Sequence, residues 1–348
     1  MFDVNEDSNL RNKVRLFVKT EMIPIEKVRT VEENVPNETI GSLRTKLRQL
    51  GITGESWVGE GNKMSSHSII AVYEELHRSL LGFWGAGVID GAEILAAFPG
   101  TWTNQLLHEG VYPVTKIQWF ETNSVQGRVR ISGSFTAVGS SRCGWFWIDS
   151  EQVLINRTSS GVSVHLRKGM GMLDVSEIIL DNVEGQQLSM EKTYVLNPNV
   201  VLCYLRLGAG AVGCCLRAIE DAVAYSKARV AFGKPLCDHQ AIQWMIADMM
   251  KDVQSVRWRL YESSDMLARD PFSVTTQELA VLAGADAISI AISSLDHAIQ
   301  IFGGKGYTRS FWLEEAFRNL VGYQAMISAD QVYKEAGMKI RQQGHLFK

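Results

Sequence analysis

The first hundred residues carry hydrophobic side chains at the spacing of amphipathic helices. In LRNKVRLFVKTEMI the apolar positions between Leu10 and Val18 share one helical face, and Pro24 is expected to end this helix. IGSLRTKLRQLGI repeats the spacing and ends at Gly51, and HSIIAVYEELHRSLLG repeats it again. The pattern predicts an N-terminal helical domain over residues 1–111, and we interpret this domain as shortened.

From about residue 112 the hydrophobic pattern changes from helical to alternating. KIQWFETN, GRVRISGSFTAV, GWFWI, QVLIN, GVSVHL and VSEIIL are short runs of β-branched and aromatic residues. Glycine, serine, asparagine and aspartate separate them, as is typical of strands joined by tight turns. We therefore predict a compact antiparallel β domain over residues 112–190.

Beyond the β domain the helical pattern returns in long segments. VVLCYLRLGAGAVGCCLRAIEDAVAYSKA is nearly apolar, and HQAIQWMIADMMKDVQSVRWRLYESSDMLA is amphipathic. A third segment begins with a T-x-x-E capping box at Thr275 and ends at Gly303-Gly304. A last helix is predicted over 313–342. Four long helices with short links predict a C-terminal four-helix bundle over 191–348, in a mainly α fold with a central β domain.

The composition narrows the class of protein. Hydrophobic residues make up 46% of the chain, charged residues 21%, and the net charge is −3 without a basic block, which argues against a nucleic-acid-binding protein. Charges interrupt the apolar runs, and the acidic, polar first residues do not resemble a signal peptide. Five cysteines without metal-ligand spacing indicate a reducing compartment. We expect a cytoplasmic protein without a metal site or a membrane span.

The run GAGAVG, Gly208–Gly213, matches the dinucleotide-binding pattern G-x-G-x-x-G letter for letter. That fingerprint requires a preceding strand and an acidic residue about 20 positions later. Here the run lies inside a helical pattern, and Glu220 and Asp221 come too early. We interpret these small residues as a place where two helices approach closely.

Two other segments have the chemistry of an anion or cofactor site. In ARVAFGKPLCDHQAIQ, residues 228–243, Arg229 precedes a turn and a helix that begins near Asp238. Arginine forks and helix N-termini both bind phosphate. In QIFGGKGY, Gln300–Tyr307, a helix ends in a glycine-rich loop that lets a backbone approach a ligand. Each segment alone is equally consistent with an ordinary helix cap.

Taken together and followed by Arg318, these segments resemble the C-terminal helical domain of the acyl-CoA dehydrogenases. GMLDVSEIILDNVEGQQL is similar to the end of that family's β domain, and VRLFVKTEMIP and LRQLGITG are similar to its first helices. The resemblance covers most of the chain, is strongest over 200–320 and is weakest over 55–145. It implies the three-domain fold of that family.

The resemblance also implies a cofactor, flavin adenine dinucleotide (FAD), which carries the redox chemistry while the protein positions it. In the family the corresponding groups reach across a dimer interface to a flavin held mainly by the neighbouring chain. The residues matching the family's pyrophosphate contacts are Arg229, Phe232 and Gln240, and those matching its adenine contacts are Gln300, Gly303 and Gly304.

The family's catalytic base is not found in this chain. Counting without a gap from Gln300 places the family's base glutamate on Ile327, and the alternative base position on the helix ahead of Arg229 falls on Cys203. Isoleucine cannot accept a proton, and a thiol is a poor substitute for a carboxylate tuned as a base. Asp330 is three residues displaced. We therefore expect no catalytic residue here.

The flavin-ring contacts of the family are also missing. Its Thr-Glu-Pro-x-x-Gly-Ser-Asp stretch is not found between Gly87 and Thr115, and that interval is shortened. A later Trp-Ile-Thr stretch, which packs on the ring, aligns with Ala137, Val138 and Gly139. The retained motifs are those that act on a neighbour's cofactor, and the lost motifs are those that act on the chain's own.

The resemblance therefore implies one subunit of a heteromeric acyl-CoA dehydrogenase that is inactive alone. A related partner with an intact glutamate would complete a two-plus-two heterotetramer with shared FAD, acting on an acyl-CoA such as a steroid side-chain CoA thioester. Two alternatives stay open. One is a flavin-dependent oxygenase on the same fold, and the other is a structural subunit without cofactor contact.

Overall fold

The computed structural model describes most of the chain. The described residues are 4–28, 35, 37–52, 65–86, 111–114, 119–125, 128–138, 144–148, 153–167, 175–187, 198–327 and 334. They form helices at both ends of the chain and a sheet between them, which confirms the predicted fold class. Among the described residues, the N-terminal helices end at residue 86, the strands of the sheet span 111–187, and the C-terminal helices begin at residue 198. We propose to keep the three-domain division drawn from the sequence.

The N-terminal region is helical. Its helices are α1 (Val4–Phe17), α2 (Ile23–Val28), α3 (Asn37–Gln49), α4 (Ser66–Leu76) and α5 (Leu81–Ala86). Val14, Phe17, Leu43 and Leu47 are buried together with Val72 of α4, as the apolar spacing of the sequence predicts. Gly51 has a φ of 76°, so it ends α3 in the left-handed conformation expected of a C-terminal glycine.

The prediction that Pro24 ends the first helix was wrong. A wider π-helical turn, Val18–Met22, joins α1 to α2, and the N–H of Ile23 donates to the carbonyl oxygen of Val18. Pro24 is the second residue of α2, where a proline needs no N–H partner. The wider turn therefore carries the chain past the proline without a lost hydrogen bond.

The central region is a sheet of seven strands among the described residues. They are β1 (Val111–Val114), β2 (Trp119–Val125), β3 (Arg128–Val138), β4 (Trp145–Ile148), β5 (Val153–Asn156), β6 (Val162–Arg167) and β7 (Val175–Gln187). Their order is β1-β4-β5-β7-β3-β2, with β6 also paired to β7. The pairing is antiparallel except that β1 lies parallel to β4. The hairpin β2–β3 separates those two strands in sequence, which gives the long connection that a parallel pair needs.

The C-terminal region is a helical bundle. Its helices are α6 (Pro198–Ala228), α7 (Gln240–Arg269), α8 (Val274–Phe302) and α9 (Trp312–Ile327). A Cβ added to Gly284 would lie 2.3 Å from the carbonyl oxygen of Tyr204, and the rings of Tyr225 and Phe302 stack 4.5 Å apart. Helices α6 and α8 therefore run parallel to each other. Helix α7, which lies between them in sequence, runs in the opposite direction. The loops that follow α6 and α8 meet at one end of the bundle.

The predicted limits of two bundle helices need correction. Ser273, and not Thr275, is the N-cap of α8, since its side chain accepts a hydrogen bond from the N–H of Thr276. Gly303 ends α8, as expected. The last helix is described to Ile327, and apart from residue 334 the remainder of its predicted range lies outside the described residues.

The GAGAVG run lies inside α6, which confirms its interpretation as a close-packing segment. A Cβ added to Gly213 would lie 1.8 Å from the carbonyl oxygen of Glu74, and one added to Gly210 would lie 2.7 Å from the His77 ring. The His77 ring is fully buried and bonds the hydroxyl of Tyr323 at 2.7 Å. The small residues thus let α4 pack directly on the bundle.

Charges interrupt α6 at Arg206 and Arg217 and α8 at Asp286 and Asp296, but these two helices are still strongly apolar. Both helices are long and apolar enough, by length and composition, to cross a membrane. More than half of each apolar window is buried inside the fold, where the two helices pack against each other. Their hydrophobicity is therefore accounted for by the bundle core.

Ion pairs join the N-terminal helices to the bundle. Arg11 of α1 and Arg257 of α7 bind the same buried carboxylate, Glu74, at 2.9 and 3.0 Å. Burial favours the neutral form of Glu74, but the hydrogen bond and charge of Arg11 and the charge of Arg257 outweigh it and hold its pKa below the ordinary value. Arg217 of α6 binds Glu26 of α2 at 2.8 Å.

Among the tryptophans whose side chains are described, two are buried, two are exposed and Trp312 is half-buried. Trp145 and Trp147 of β4 are buried in the sheet. Trp244 and Trp258 of α7 are 63% and 76% exposed and share the helix face that points away from the bundle core. All the exposed large aromatic side chains of the described residues lie in the bundle region, namely Phe232, Trp244, Trp258, Phe272 and Tyr307.

Candidate functional site

The segment after α6 forms a tight β-hairpin. Strand β8 (Val230–Ala231) pairs with β9 (Lys234–Pro235). The two residues between them, Phe232 and Gly233, have φ values of 53° and 81°. Positive φ at both central positions is the signature of the type I′ turn, which matches the twist of a two-residue hairpin.

The hairpin is held against the start of α7. The N–H of Leu236 donates to the carbonyl oxygen of Arg229 at 2.8 Å, which closes the base of the hairpin. The ammonium of Lys234 donates to the carbonyl oxygen of Asp238 at 2.8 Å, and Nε2 of His239 lies 3.1 Å from the carbonyl oxygen of Ala231. These contacts fix the hairpin relative to the helix that carries Gln240.

The structure presents Phe232 to the outside. It occupies the hairpin tip in a conformation that costs an ordinary residue about 1–2 kcal/mol, and it is 97% exposed. Its one ring contact is an edge-on arrangement with His239, with centroids 6.1 Å apart. A strained backbone that exposes an aromatic ring contributes nothing to this chain's own core, which suggests that the ring serves an external contact.

The polar residues of the same segment are also exposed. Arg229 lies at the base of the hairpin, and Gln240 is the first residue of α7. No carboxylate in the described part of the chain pairs with the Arg229 guanidinium, whereas Arg217 and Arg318 each have one. The Arg229 side chain thus keeps its charge available for an anion.

The second segment begins where α8 ends. Gly303 has φ 61° and ψ −142°, a combination that only glycine adopts readily, and Gly304 opens a single helical turn, Gly304–Tyr307. A Cβ added to Gly303 or Gly304 would meet no atom within 4 Å. Gln300 is exposed one turn earlier. The backbone here is therefore open to the approach of a ligand.

Tyr225 brings the two segments together. Its carbonyl oxygen accepts the N–H of Arg229 at 2.9 Å, and its ring stacks on Phe302, the residue before Gly303. Phe302 also packs on Phe311, with centroids 4.6 Å apart. The predicted anion residue and the glycine-rich loop are thus connected through one aromatic cluster.

Sequence reasoning missed the lysine of the glycine-rich loop. The ammonium of Lys305 lies 5.8 Å from the centre of the Tyr225 ring and 5.1 Å from that of Phe311. Tyr225 is 80 residues earlier in the chain than Lys305, so no local pattern signals this contact. A lysine directly after two glycines was the available signal.

The positions matched to the family's base lie apart from this loop region. Ile327 is the last residue of α9 and is buried, and Cys203 lies near the start of α6 and is partly exposed. Asp330 lies outside the described residues. Ala137, on β3, is buried and has no hydrogen-bonding side chain. Gly139 and the side chain of Val138 lie outside the described part of the chain.

The residues at this end of the bundle fit the adenine-diphosphate half of a dinucleotide. Arg229 offers two-pronged donors to a diphosphate, exposed Phe232 offers a face for stacking, and the open backbone at Gly303 allows close approach. Arg229, Phe232 and Gly303 are all exposed on the surface of the bundle.

The matching family model is that of the acyl-CoA dehydrogenase C-terminal domain, over residues 204–333. An acyl-CoA dehydrogenase of Bacillus subtilis is 25% identical over 225 residues, which is 62% of this chain and 57% of the relative. A cyclohexane-1-carbonyl-CoA dehydrogenase of Syntrophus aciditrophicus is 29% identical over 52% of this chain and 48% of the relative. Residues 204–333 therefore match the C-terminal domain of the acyl-CoA dehydrogenase family.

Solved structures of the family share the fold over the whole chain. Butyryl-CoA dehydrogenase of Megasphaera elsdenii matches with a TM-score of 0.78 and 17% identity over 97% of this chain and 99% of its own. The Tcur3481–Tcur3483 steroid ACAD matches with a TM-score of 0.80 and 16% identity over 97% and 98%. In sequence, however, the chain matches only about half the length of the two curated relatives named above.

Proposed function

We propose that this chain is one subunit of a heteromeric, FAD-dependent acyl-CoA dehydrogenase. It contributes to the FAD site of a related partner, and the partner supplies the catalytic glutamate. The redox chemistry, α,β-dehydrogenation of an acyl-CoA thioester, is supplied by FAD when bound. This chain's part is to bind and orient the adenine-diphosphate half.

The exposed hairpin carries this proposal. Phe232 is held in a strained conformation with nearly its whole side chain in solvent, and Arg229 beside it has no carboxylate partner among the described residues. In an isolated chain the strain at Phe232 is unfavourable and the unpaired charge of Arg229 brings no stability. Both residues can instead contact a ligand that another chain brings to the hairpin.

The unequal loss of family residues supports the same division of labour. Buried Ile327 and partly exposed Cys203 hold the two base positions, and neither is a carboxylate. Ala137 stands where the family packs a Trp-Ile-Thr stretch on the flavin ring. By contrast Arg229 and Gly303 keep the residue types of the trans contacts. A structural subunit without cofactor contact would have no need of these two, and an oxygenase would need its own ring pocket.

The substrate and assembly are proposed with the help of the structural relatives. Two of the matching structures are a steroid ACAD and a ChsE4–ChsE5 complex from Mycobacterium tuberculosis. The latter matches with a TM-score of 0.77 and 17% identity over 98% of this chain and 99% of its own. We propose a two-plus-two heterotetramer in the cytoplasm that acts on a bulky acyl-CoA of the steroid side-chain type.

The test is FAD binding by the complex of this chain with a co-expressed full-length family member that retains the glutamate. Arg229→Ala is expected to raise the FAD dissociation constant about ten- to a hundredfold, because a hydrogen bond to a charged group contributes about 1.5–3 kcal/mol. Arg229→Lys should restore part of the affinity, since an ammonium lacks the planar fork. The chain alone should bind little FAD and show no acyl-CoA turnover.

Arg269→Ala is the matched control. Arg269 is an exposed arginine at the far end of α7, so its loss changes the net charge equally without touching the hairpin. It should leave FAD affinity unchanged. If Arg229→Ala lowered the melting temperature without flavin while leaving FAD affinity intact, Arg229 would be a structural cap and the proposal would fail.

A further inference from the structure

Lys305 is held in an unusual way for a surface lysine. Its ammonium lies over two aromatic faces, those of Tyr225 and Phe311, both within the distance at which a cation is attracted to a ring. Phe302 stacks on the Tyr225 ring and packs at a tilt against the Phe311 ring. Lys305 therefore has a defined position although it is exposed.

This arrangement leaves the charge of Lys305 unneutralised. No carboxylate among the described residues pairs with it, whereas Lys46 and Lys251 are each paired with an acidic side chain. Aromatic rings attract a cation through their quadrupole without cancelling its net charge. The ammonium can therefore still donate its N–H groups to an anion on the solvent side.

Tyr225 sets Lys305 and Arg229 beside the same surface. Its backbone oxygen binds the N–H of Arg229, and its ring holds the ammonium of Lys305. The glycines of both loops, Gly233 and Gly303, have open space where a Cβ would be, so nothing in the described structure covers this surface.

We propose that Lys305 and Arg229 form a two-cation site for the diphosphate of a dinucleotide, with the ring of Tyr225 positioning the ammonium of Lys305. The inference rests on the proposed function. It adds one ligand contact to it, from the side chain of Lys305 in the glycine-rich loop. Two separate cations suit a diphosphate, which carries charge on two phosphorus centres, better than a single phosphate.

The test uses ADP, inorganic pyrophosphate and adenosine as probes of the purified chain alone, by isothermal titration calorimetry at low ionic strength. ADP and pyrophosphate are expected to bind with dissociation constants of about a millimolar, as suits an exposed half-site. Lys305→Met should weaken both about fivefold, the size of one exposed charge-assisted contact, and should leave any adenosine binding unchanged. Tyr225→Leu should weaken them as much, while Lys305→Arg should retain most of the affinity.

Lys251→Met is the matched control, because it removes an exposed lysine on α7 about three turns from the hairpin. Equal weakening by this control would mean a net-charge effect and would overturn the site. So would the absence of ADP binding by the wild-type chain up to about ten millimolar, or Lys305→Met binding like wild type.

The outcomes separate the two proposals. If Arg229→Ala weakens FAD binding in the complex but Lys305→Met does not change ADP binding, the two-cation site is wrong and the proposed function stands. If both lysine and arginine variants weaken ADP binding while no complex binds FAD, the site is real and the proposed function is wrong. Circular dichroism of each variant confirms that it has folded.

Discussion

Replacing Phe232 with asparagine tests whether the hairpin keeps an unfavourable residue for an external purpose. The left-handed backbone costs phenylalanine about 1–2 kcal/mol, whereas Asn-Gly is a preferred sequence of the type I′ turn. Little packing is lost, because the ring is 97% exposed and meets only the edge of His239 at 6.1 Å. We expect Phe232→Asn to stabilise the hairpin by about 1 kcal/mol.

Hydrogen exchange measures this change locally. The amide of Leu236, which donates to Arg229, should exchange about fivefold more slowly in the variant, since opening of the hairpin is made less favourable by about 1 kcal/mol. Val230→Asn, at an exposed strand position of the same hairpin, should show no such gain. In the complex, Phe232→Asn should also weaken FAD binding. Exchange that is unchanged or faster in Phe232→Asn would refute the reasoning about strain.

Two further predictions concern packing. Burial lowers the pKa of His77 from 6.5 to about 4, so the unfolded chain takes up this proton first as the pH falls, and the free energy of unfolding should decrease by about 3 kcal/mol from pH 6.5 to 4. In urea titrations, the free energy of unfolding should fall more steeply with decreasing pH for the wild type than for His77→Gln. Equal dependence on pH in the two proteins would contradict the prediction. Gly213→Ala would place a Cβ 1.8 Å from a carbonyl oxygen of α4 and should cost about 3 kcal/mol or prevent folding, whereas Gly304→Ala, which meets no atom within 4 Å, should change stability by less than about 0.5 kcal/mol. The melting temperatures of the two variants measure this difference. Similar decreases in Gly213→Ala and Gly304→Ala would contradict the close packing inferred at Gly213.

Much of the fold follows from local sequence signals. The apolar spacing predicts the order of helices and strands, because each element must present one face to a core. Gly51 and Gly303 mark helix ends, since their positive φ is readily adopted only by glycine. The helical context of Gly208–Gly213 was enough to reject a dinucleotide-binding loop.

Tertiary contacts decided the features that the sequence did not predict. The apolar spacing of HSIIAVYEELHRSLLG predicts one helix, but α4 ends at Leu76. The hydroxyl of Ser79 and the N–H of Leu80 both donate to the carboxylate of Glu26, which holds the break from a distant part of the chain. Likewise the π-helical turn before Pro24 has no signature in hydrophobic spacing.

The candidate site, like the fold, could be predicted from the sequence only in part. Arg229 and the glycines of the second loop were identified from sequence because their residue types and spacing are distinctive. The cluster that joins them was not, since Tyr225 and Phe302 are apolar-face residues like many others in long helices. Their role depends on α6 and α8 running parallel, which only the packing of the helices determines.

The exposed tryptophans of α7 give the chain a built-in optical reporter. Trp244 and Trp258 lie in solvent on the outer face of the helix, while Trp145 and Trp147 are buried in the sheet. Solvent-exposed indoles emit at longer wavelengths than buried ones, so the free chain should have a red component in its fluorescence spectrum. Any subunit that covers this face of α7 will shift that component to the blue, and association can be followed without attaching a label.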